Sequence, residues 1–287
     1  MDRALRRKLA NYVFVALCIT ATAIALCALG LILWSLFSQG IGGMNLAIFT
    51  QDTPAPDSPG GLRNAIIGSL LMCGVGMVFA LVIGILAGTW LAEIGGDTPY
   101  GHVVRFLNDV LLSAPSILIG LFVYELLVVK KAGFSIALGH FSGWAGAVAL
   151  AILATPIVVR TTEDILNLQP NALREAGMAL GSSQFTTIRK IIWKAAGAGL
   201  LTGGLLGFAR ISGETAPLLF TALSNQFFNA DMSQPMASLP VSMFNFALSP
   251  YESWNKLAWA GALLVAVAVL AINILGRWLA REKQSSH

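Results

Sequence analysis

The chain has 287 residues, 56% hydrophobic and only 11% charged, with a formal net charge of +4 and a mean hydropathy of +0.75. Soluble domains carry roughly a quarter charged residues, so this composition excludes the soluble globular class and indicates an integral membrane protein. Its apolar runs are continuous rather than alternating, which favours helices over a β-barrel, and each is tested against the roughly 20 helical residues that cross a hydrocarbon core of about 30 Å.

The first expected span is Tyr12–Phe37. Arg3, Arg6, Arg7 and Lys8 precede it, as in a signal peptide, but the run exceeds the roughly 7–15 residues of a cleavable apolar region and is expected to be retained. Between Gln39 and Gly61 stand Asp52, Pro54, Pro56, Asp57, Pro59 and two closing glycines, a composition that interrupts helices and reads as an external linker. The second span, Ala65–Leu91, carries Gly68, Gly74, Gly76, Gly84 and Gly88. Small residues let helices approach closely in a bilayer, so this span is expected to pack against protein.

A short turn, Glu93–His102, leads to a third span, Val103–Val129, and a turn around Lys130–Gly139 leads to a fourth, Phe141–Val159. Glu125, Lys130 and Lys131 read as an interfacial charge cluster. The stretch from Arg160 to Lys194 is polar and set between long apolar runs. Pro170 and Asn171 supply a helix start, and Leu173, Ala176 and Leu180 fall on one helical face. Gly181 provides a left-handed stop, and Ser182 or Ser183 a cap for a second helix carrying Ile188, Ile191 and Ile192. Two short helices meeting at a glycine form an elbow that projects from the bilayer.

The fifth span, Ala195–Leu223, repeats the glycine pattern at Gly199, Gly203 and Gly207 and places Arg210 near its centre, with Glu214 four residues on, hence on the same face. An Arg at the bilayer centre costs around 3 kcal/mol on insertion scales, so such ions face a cavity or a partner. Two roles stand for Arg210: a guanidinium fork for an anion's oxygens, or a pair with Glu214 that locks the span. Pro217 is expected to bend this span. A loop, Ser224–Lys256, containing Pro235, Pro240 and Pro250, precedes the sixth span, Leu257–Leu279.

Lys and Arg cluster at alternate membrane boundaries. With a cytoplasmic amino terminus, that side collects Arg3, Arg6, Arg7, Lys8, Arg105, Arg160, Arg174, Arg189, Lys190, Lys194, Arg277, Arg281 and Lys283. The other side has Arg63, Lys130, Lys131 and Lys256. The distribution puts both termini and the elbow in the cytoplasm and leaves no basic patch for nucleic acid. Cys18, Cys27 and Cys73 lie in apolar runs, without metal-ligand spacing or a disulfide framework. Trp90, Trp144, Trp254 and Trp259 fall near span ends, as an aromatic belt does. No lysine follows a glycine, so the Gly-Lys-Ser/Thr core of a P-loop is absent.

Glu175-Ala176-Gly177, three residues, then Gly181 and later Ile191 resembles the EAA loop of bacterial ABC-importer permeases, whose helix fits a cleft on a separate ATPase. The usual pattern has Ala where Gly177 stands, and Leu-Pro where Trp193-Lys194 stands. Gly177 weakens a helix by about 1 kcal/mol relative to Ala, and the missing proline leaves the return into the membrane to be shaped otherwise. The segments Thr155–Glu163, Ala114–Phe122, Gly213–Phe220 and Gln234–Pro240 are similar to the PstA-type family of phosphate permeases, over roughly residues 60–280.

The resemblance implies an all-α integral membrane protein with a six-helix type I ABC-importer core, and no catalytic residues. ATPase coupling would fall to Glu175, Ala176, Gly177 and Gly181. Arg210 and Glu214 are the substrate-path candidates. Implied partners are a second homologous permease (PstC-like), two ATPase subunits (PstB-like) holding ATP and Mg, and an extracytoplasmic phosphate-binding protein (PstS-like), all in the bacterial inner membrane or at its surface. Moving a phosphate dianion against an inside-negative potential costs about 2.3 kcal/mol per charge per 100 mV, so energy must arrive from outside this chain. Residues 1–60 are expected as a first helix plus linker, 61–280 as the permease domain with its loop at 160–194, and 281–287 as a cytoplasmic tail. Another oxyanion such as molybdate or sulfate, or a membrane sensor without transport, stands as the alternative.

Overall fold

The computed structural model describes residues 3–130 and 138–285. Lys131, most of the expected 130–139 turn, and the side chains of Arg281 and Lys283 lie outside the described residues. Among the described residues every regular element is helical.

Helix α1, Arg3–Gly43, is exposed along nearly all its length, and its buried residues are Gly40 and Gly43. A Cβ at Gly40 would lie 2.7 Å from Leu263 Cβ, and one at Gly43 would lie 2.5 Å from the Lys256 carbonyl. The C-terminal end of α1 therefore rests on the N-terminal half of the last helix. The expected linker contains a short helix, α2, Ala47–Thr50, ahead of its prolines.

Helix α3, Arg63–Trp90, widens into a π-helical turn at Leu91–Gly95. Helices α4, Pro99–Ser113, and α5, Ser116–Val123, come next, the latter extended by a second π-helical turn at Tyr124–Val128. These two helices meet at 104°, so the expected third span, Val103–Val129, is broken into two helices. Pro115 is the cause: it lacks an N–H and drives the preceding Ala114 out of the helical region, to φ −66° and ψ 133°.

Helix α6, Gly143–Asn167, runs parallel to α3. A Cβ at Gly76 would lie 2.8 Å from the Ala147 carbonyl, one at Gly84 2.6 Å from Val158 Cβ, and one at Gly88 2.6 Å from the Val159 carbonyl. The glycines let the two backbones touch, as the spacing predicts. Gly74 is different, because a Cβ there meets nothing within 4 Å.

The elbow comprises α7, Asn171–Ala179, α8, Gln184–Thr187, a third π-helical turn at Ile188–Ile192 and α9, Trp193–Ala195. Its second arm, Gln184–Ala195, bends by 74° into α10, Gly197–Ser212. This helix runs antiparallel to α6, with Gly199 against Ile165, Gly203 against Thr161 and Gly207 against Val158.

The expected fifth span does not continue to Leu223. Helix α10 ends at Ser212, and a separate α11, Ala216–Thr221, begins after Gly213-Glu214-Thr215. Pro217 stands in the first turn of α11, where a missing N–H removes no helical hydrogen bond. It starts a helix rather than kinking one, and the break lies before it.

Helix α12, Leu239–Ala247, occupies part of the expected last loop, and α13, Glu252–Ser285, closes the fold, with Gly276 against Leu205. Among the described residues four helices are long and apolar enough to cross a membrane, and the two bent pairs raise this to six if each is one crossing. Met72, Leu150, Val158, Ile211, Leu218 and Met236 form the main core between α3, α6, α10 and α11. This packing sets the elbow, the π turn after α3, the N-terminal end of α1 and the C-terminal end of α13 at one end of the bundle. The linker and residues 213–251 lie towards the other.

Candidate functional site

The elbow forms largely as its residues dictate. Gly181 adopts φ +78°, the left-handed stop expected of it. Ser183 is the cap: its Oγ accepts from the Thr186 amide at 3.3 Å. The face expected from Leu173, Ala176 and Leu180 does not hold together. Leu173 packs against the buried cluster of Leu166, Ile192 and Ala196, whereas Ala176 is exposed and Leu180 is 84% exposed. The inward face of α7 is instead Leu173, Arg174 and Gly177, because polar and glycine positions, not leucines alone, make the contacts.

Gly177 is buried, and a Cβ on it would fall 2.7 Å from Thr187 Cγ2 and 3.0 Å from Ile191 Cδ1. The glycine is thus the fit of one arm of the elbow to the other. Glu175 and Ala176 face outward, beside Met178, Leu180, Phe185 and Leu168, all exposed apolar side chains. The elbow therefore offers an exposed apolar surface with a carboxylate in it, at the end of the bundle.

Sequence reasoning missed what holds the elbow. The Arg174 guanidinium donates from Nε and Nη2 to the two oxygens of Glu93 at 2.9 and 2.7 Å. It donates further to the carbonyls of Gln169 and Leu166, each at 2.8 Å, and to Asn171 Oδ1 at 3.3 Å. All five N–H donors of the fork are thereby used. The hydrogen bonds that Arg174 donates to Glu93 raise its pKa above the ordinary guanidinium value, so the cation persists at every physiological pH. Glu93 is almost fully buried, in the π turn at the end of α3. Trp193 Nε1 donates to Thr89 Oγ1 at 3.1 Å. The available signal was an acid and a base, distant in sequence, assigned to the same membrane boundary.

The second candidate lies at the broken fifth span. Arg210 is in the last turn of α10 and pairs with Glu214 at 3.1 Å, their side chains 52% and 10% exposed. The pair expected from the i, i+4 spacing exists, although at a helix end and not within a continuous span. Cys73 Sγ lies 4.0 Å from the Ile211 carbonyl and Gly207 approaches Met77, so Arg210 sits level with residues 73–77 of α3, about 15–20 Å along that helix from Arg63 at 1.5 Å per residue. The neighbouring α5 packs on α11, where a Cβ at Gly120 would be 2.6 Å from Pro217 Cα. The two helices that follow the breaks therefore lie against each other. The elbow and the Arg210 pair remain at separate levels of the bundle.

Residues 80–284 match the family model of the binding-protein-dependent transport system inner membrane component. The chain is 52% identical over 278 residues to the phosphate transport system permease protein PstA of Haemophilus influenzae, covering 97% of this chain and 96% of that one. It is 53% identical over 271 residues to the protein of the same name from Pasteurella multocida, covering 94% of each. A chain of the bacterial alginate ABC transporter, solved in complex with an alginate pentasaccharide-bound periplasmic protein, superposes with a TM-score of 0.69 at 12% identity, over 98% of both chains.

Proposed function

The chain belongs to the family of binding-protein-dependent transport system inner membrane components, and from that premise we propose that it is a membrane permease subunit of an ATP-driven phosphate importer. It forms half of the translocation pathway. The observation that carries this reading is the half-exposed Arg210, at mid-height of a bundle of apolar helices. A guanidinium at that depth does not face lipid, and broken helices are tolerated there only when they line a cavity or another protein. The open side of α10 is therefore turned to a second permease and to the path between the two.

In this reading the elbow faces the cytoplasm together with both termini, in the bacterial inner membrane. Its exposed Glu175, Ala176, Met178 and Leu180 dock on one of two ATPase subunits, which hold ATP and Mg. Alternating access follows as ATPase closure displaces the elbow and reorients the spans, while an extracytoplasmic binding protein delivers phosphate at the far side. Arg210 meets the anion, and Glu214 holds or releases Arg210. The near-full-length identity to proteins named phosphate transport permeases supports phosphate over other oxyanions.

The test is reconstitution of the chain in proteoliposomes with its partner permease, ATPase and binding protein. ATP-dependent uptake of phosphate in preference to sulfate and molybdate is expected. Preferential uptake of either competitor, or none of any anion by a complex that hydrolyses ATP, would overturn the reading.

A further inference from the structure

The elbow is joined in sequence to α6 and α10, yet its polar contacts converge on neither of these alone. Arg174, on its first arm, holds both carboxylate oxygens of Glu93. On the second arm, Gln184 Nε2 reaches the Glu93 carbonyl at 3.3 Å and Trp193 Nε1 reaches Thr89 Oγ1 at 3.1 Å. Both arms therefore grip one short segment, Thr89 to Glu93, at the end of α3.

That segment joins the last residues of α3 to the first of a π-helical turn. The close glycine contacts between α3 and α6 end at Gly88, and the π-helical turn Leu91–Gly95 begins three residues on, a geometry frequent at functional sites. Beyond it α4 leads to the 104° break at Ala114 and Pro115, and so to α5, which packs on α11 beside the Arg210 pair. Arg105 secures α4 in the same neighbourhood, through Glu163 at 2.6 Å and the Gly96 carbonyl.

We infer that Glu93 and Arg174 form a coupling clamp that carries displacement of the elbow into the turn between α3 and α4, and thence into the broken span α4–α5. Both are positioning residues and neither touches substrate. The clamp makes α4–α5 the element that responds first, although it is remote from the elbow in sequence. A bidentate ion pair, nearly buried and backed by three further hydrogen bonds, transmits such a displacement because it resists shear in a way that an apolar contact does not. This inference rests on the proposed import function, since it concerns how that function is driven.

The test compares the full reconstituted complex with Glu93→Gln, Arg174→Gln and Trp193→Phe variants, and with Asp52→Asn as a control that breaks the Arg63–Asp52 pair at the other end of α3. The measured quantity is ATP hydrolysed per anion imported, which is independent of how much complex assembles. Glu93→Gln and Arg174→Gln are expected to raise that ratio roughly fivefold or more, the lower end of ordinary site-to-site coupling. Trp193→Phe raises it less, and Asp52→Asn leaves it unchanged. A ratio within about twofold of wild type in the clamp variants, a loss of uptake and hydrolysis in strict proportion, or an equal rise in the control would overturn the clamp. Where the carboxylate and guanidinium variants fail to assemble, Arg174→Lys, which keeps the charge and breaks the two-pronged geometry, is judged against the same twofold limit. Failure of the wild-type complex to import phosphate counts against the proposed substrate. With another transported anion the same ratio still judges the clamp.

Discussion

Gly177 and Thr187 meet at a separation only glycine allows: a Cβ on Gly177 would lie 2.7 Å from Thr187 Cγ2 and 2.8 Å from its Oγ1. Both atoms branch from a side chain that is 3% exposed, so neither can swing away. Restoring the alanine of the EAA pattern would gain about 1 kcal/mol of helix propensity but overpack the contact at a cost of roughly 1–3 kcal/mol. Gly177→Ala is therefore expected to lower the thermal unfolding midpoint of the purified complex. Adding Thr187→Ala should return it to wild type or above, because the Thr187 hydroxyl is buried with no hydrogen-bond partner among the described residues. A raised midpoint in the single variant would show that the two arms do not pack this closely.

Gly88 and Gly74 predict opposite outcomes for the same substitution. A Cβ at Gly88 would meet the Val159 carbonyl at 2.6 Å, a backbone atom of α6 that cannot yield without moving a helix. Gly88→Ala should reduce folded protein recovered from membranes and depress its melting temperature. Gly74→Ala meets open space and should be tolerated, with a gain of up to about 1 kcal/mol from helix propensity. Equal behaviour of the two variants would contradict the parallel register of α3 and α6.

The left-handed turn at Gly181 isolates backbone strain from packing, since φ is +78° and a Cβ would touch nothing within 4 Å. An alanine there costs roughly 1–2 kcal/mol, an asparagine less, and a β-branched residue more. ATPase co-purification and uptake should therefore fall in the order Gly181→Asn, Gly181→Ala, Gly181→Val. Full activity for the valine variant would show that the elbow does not need this turn.

These residues also show where sequence was informative. The six apolar stretches, the elbow and its stop at Gly181 follow from period, length and one glycine, which are local properties. The breaks at Ala114-Pro115 and Gly213–Thr215 were missed because each is short against the length of a span, although Pro115 and the polar run Ser212-Gly213-Glu214-Thr215 carried the signal. Gly74 could not be told from Gly76 and Gly88, since the side of a helix that meets protein depends on neighbours distant in the chain. The Glu93–Arg174 pair was invisible for the same reason. Arg210 and Glu214 were legible because a spacing of four keeps them close, but α10 ends at Ser212 and leaves Glu214 beyond the helix, so their depth and the break between them required the fold.

The double role of Arg210 can be separated through its partner. Arg210→Gln removes the cation but also strands Glu214, whose side chain is only 10% exposed, so lost uptake in that variant has two explanations. The Arg210→Gln, Glu214→Gln double variant removes the stranded charge and leaves two neutral amides. If Arg210 meets the anion, the single and double variants both lose uptake by at least about tenfold, consistent with a charged hydrogen bond worth roughly 1.5–3 kcal/mol. Glu214→Gln alone, which keeps the guanidinium, should retain much of its transport. Arg210→Lys should fall between, since it preserves charge without the planar fork. Recovery of uptake in the double variant would mean that Arg210 serves only to neutralise Glu214, and the anion path would then have to be sought elsewhere along the open side of α10.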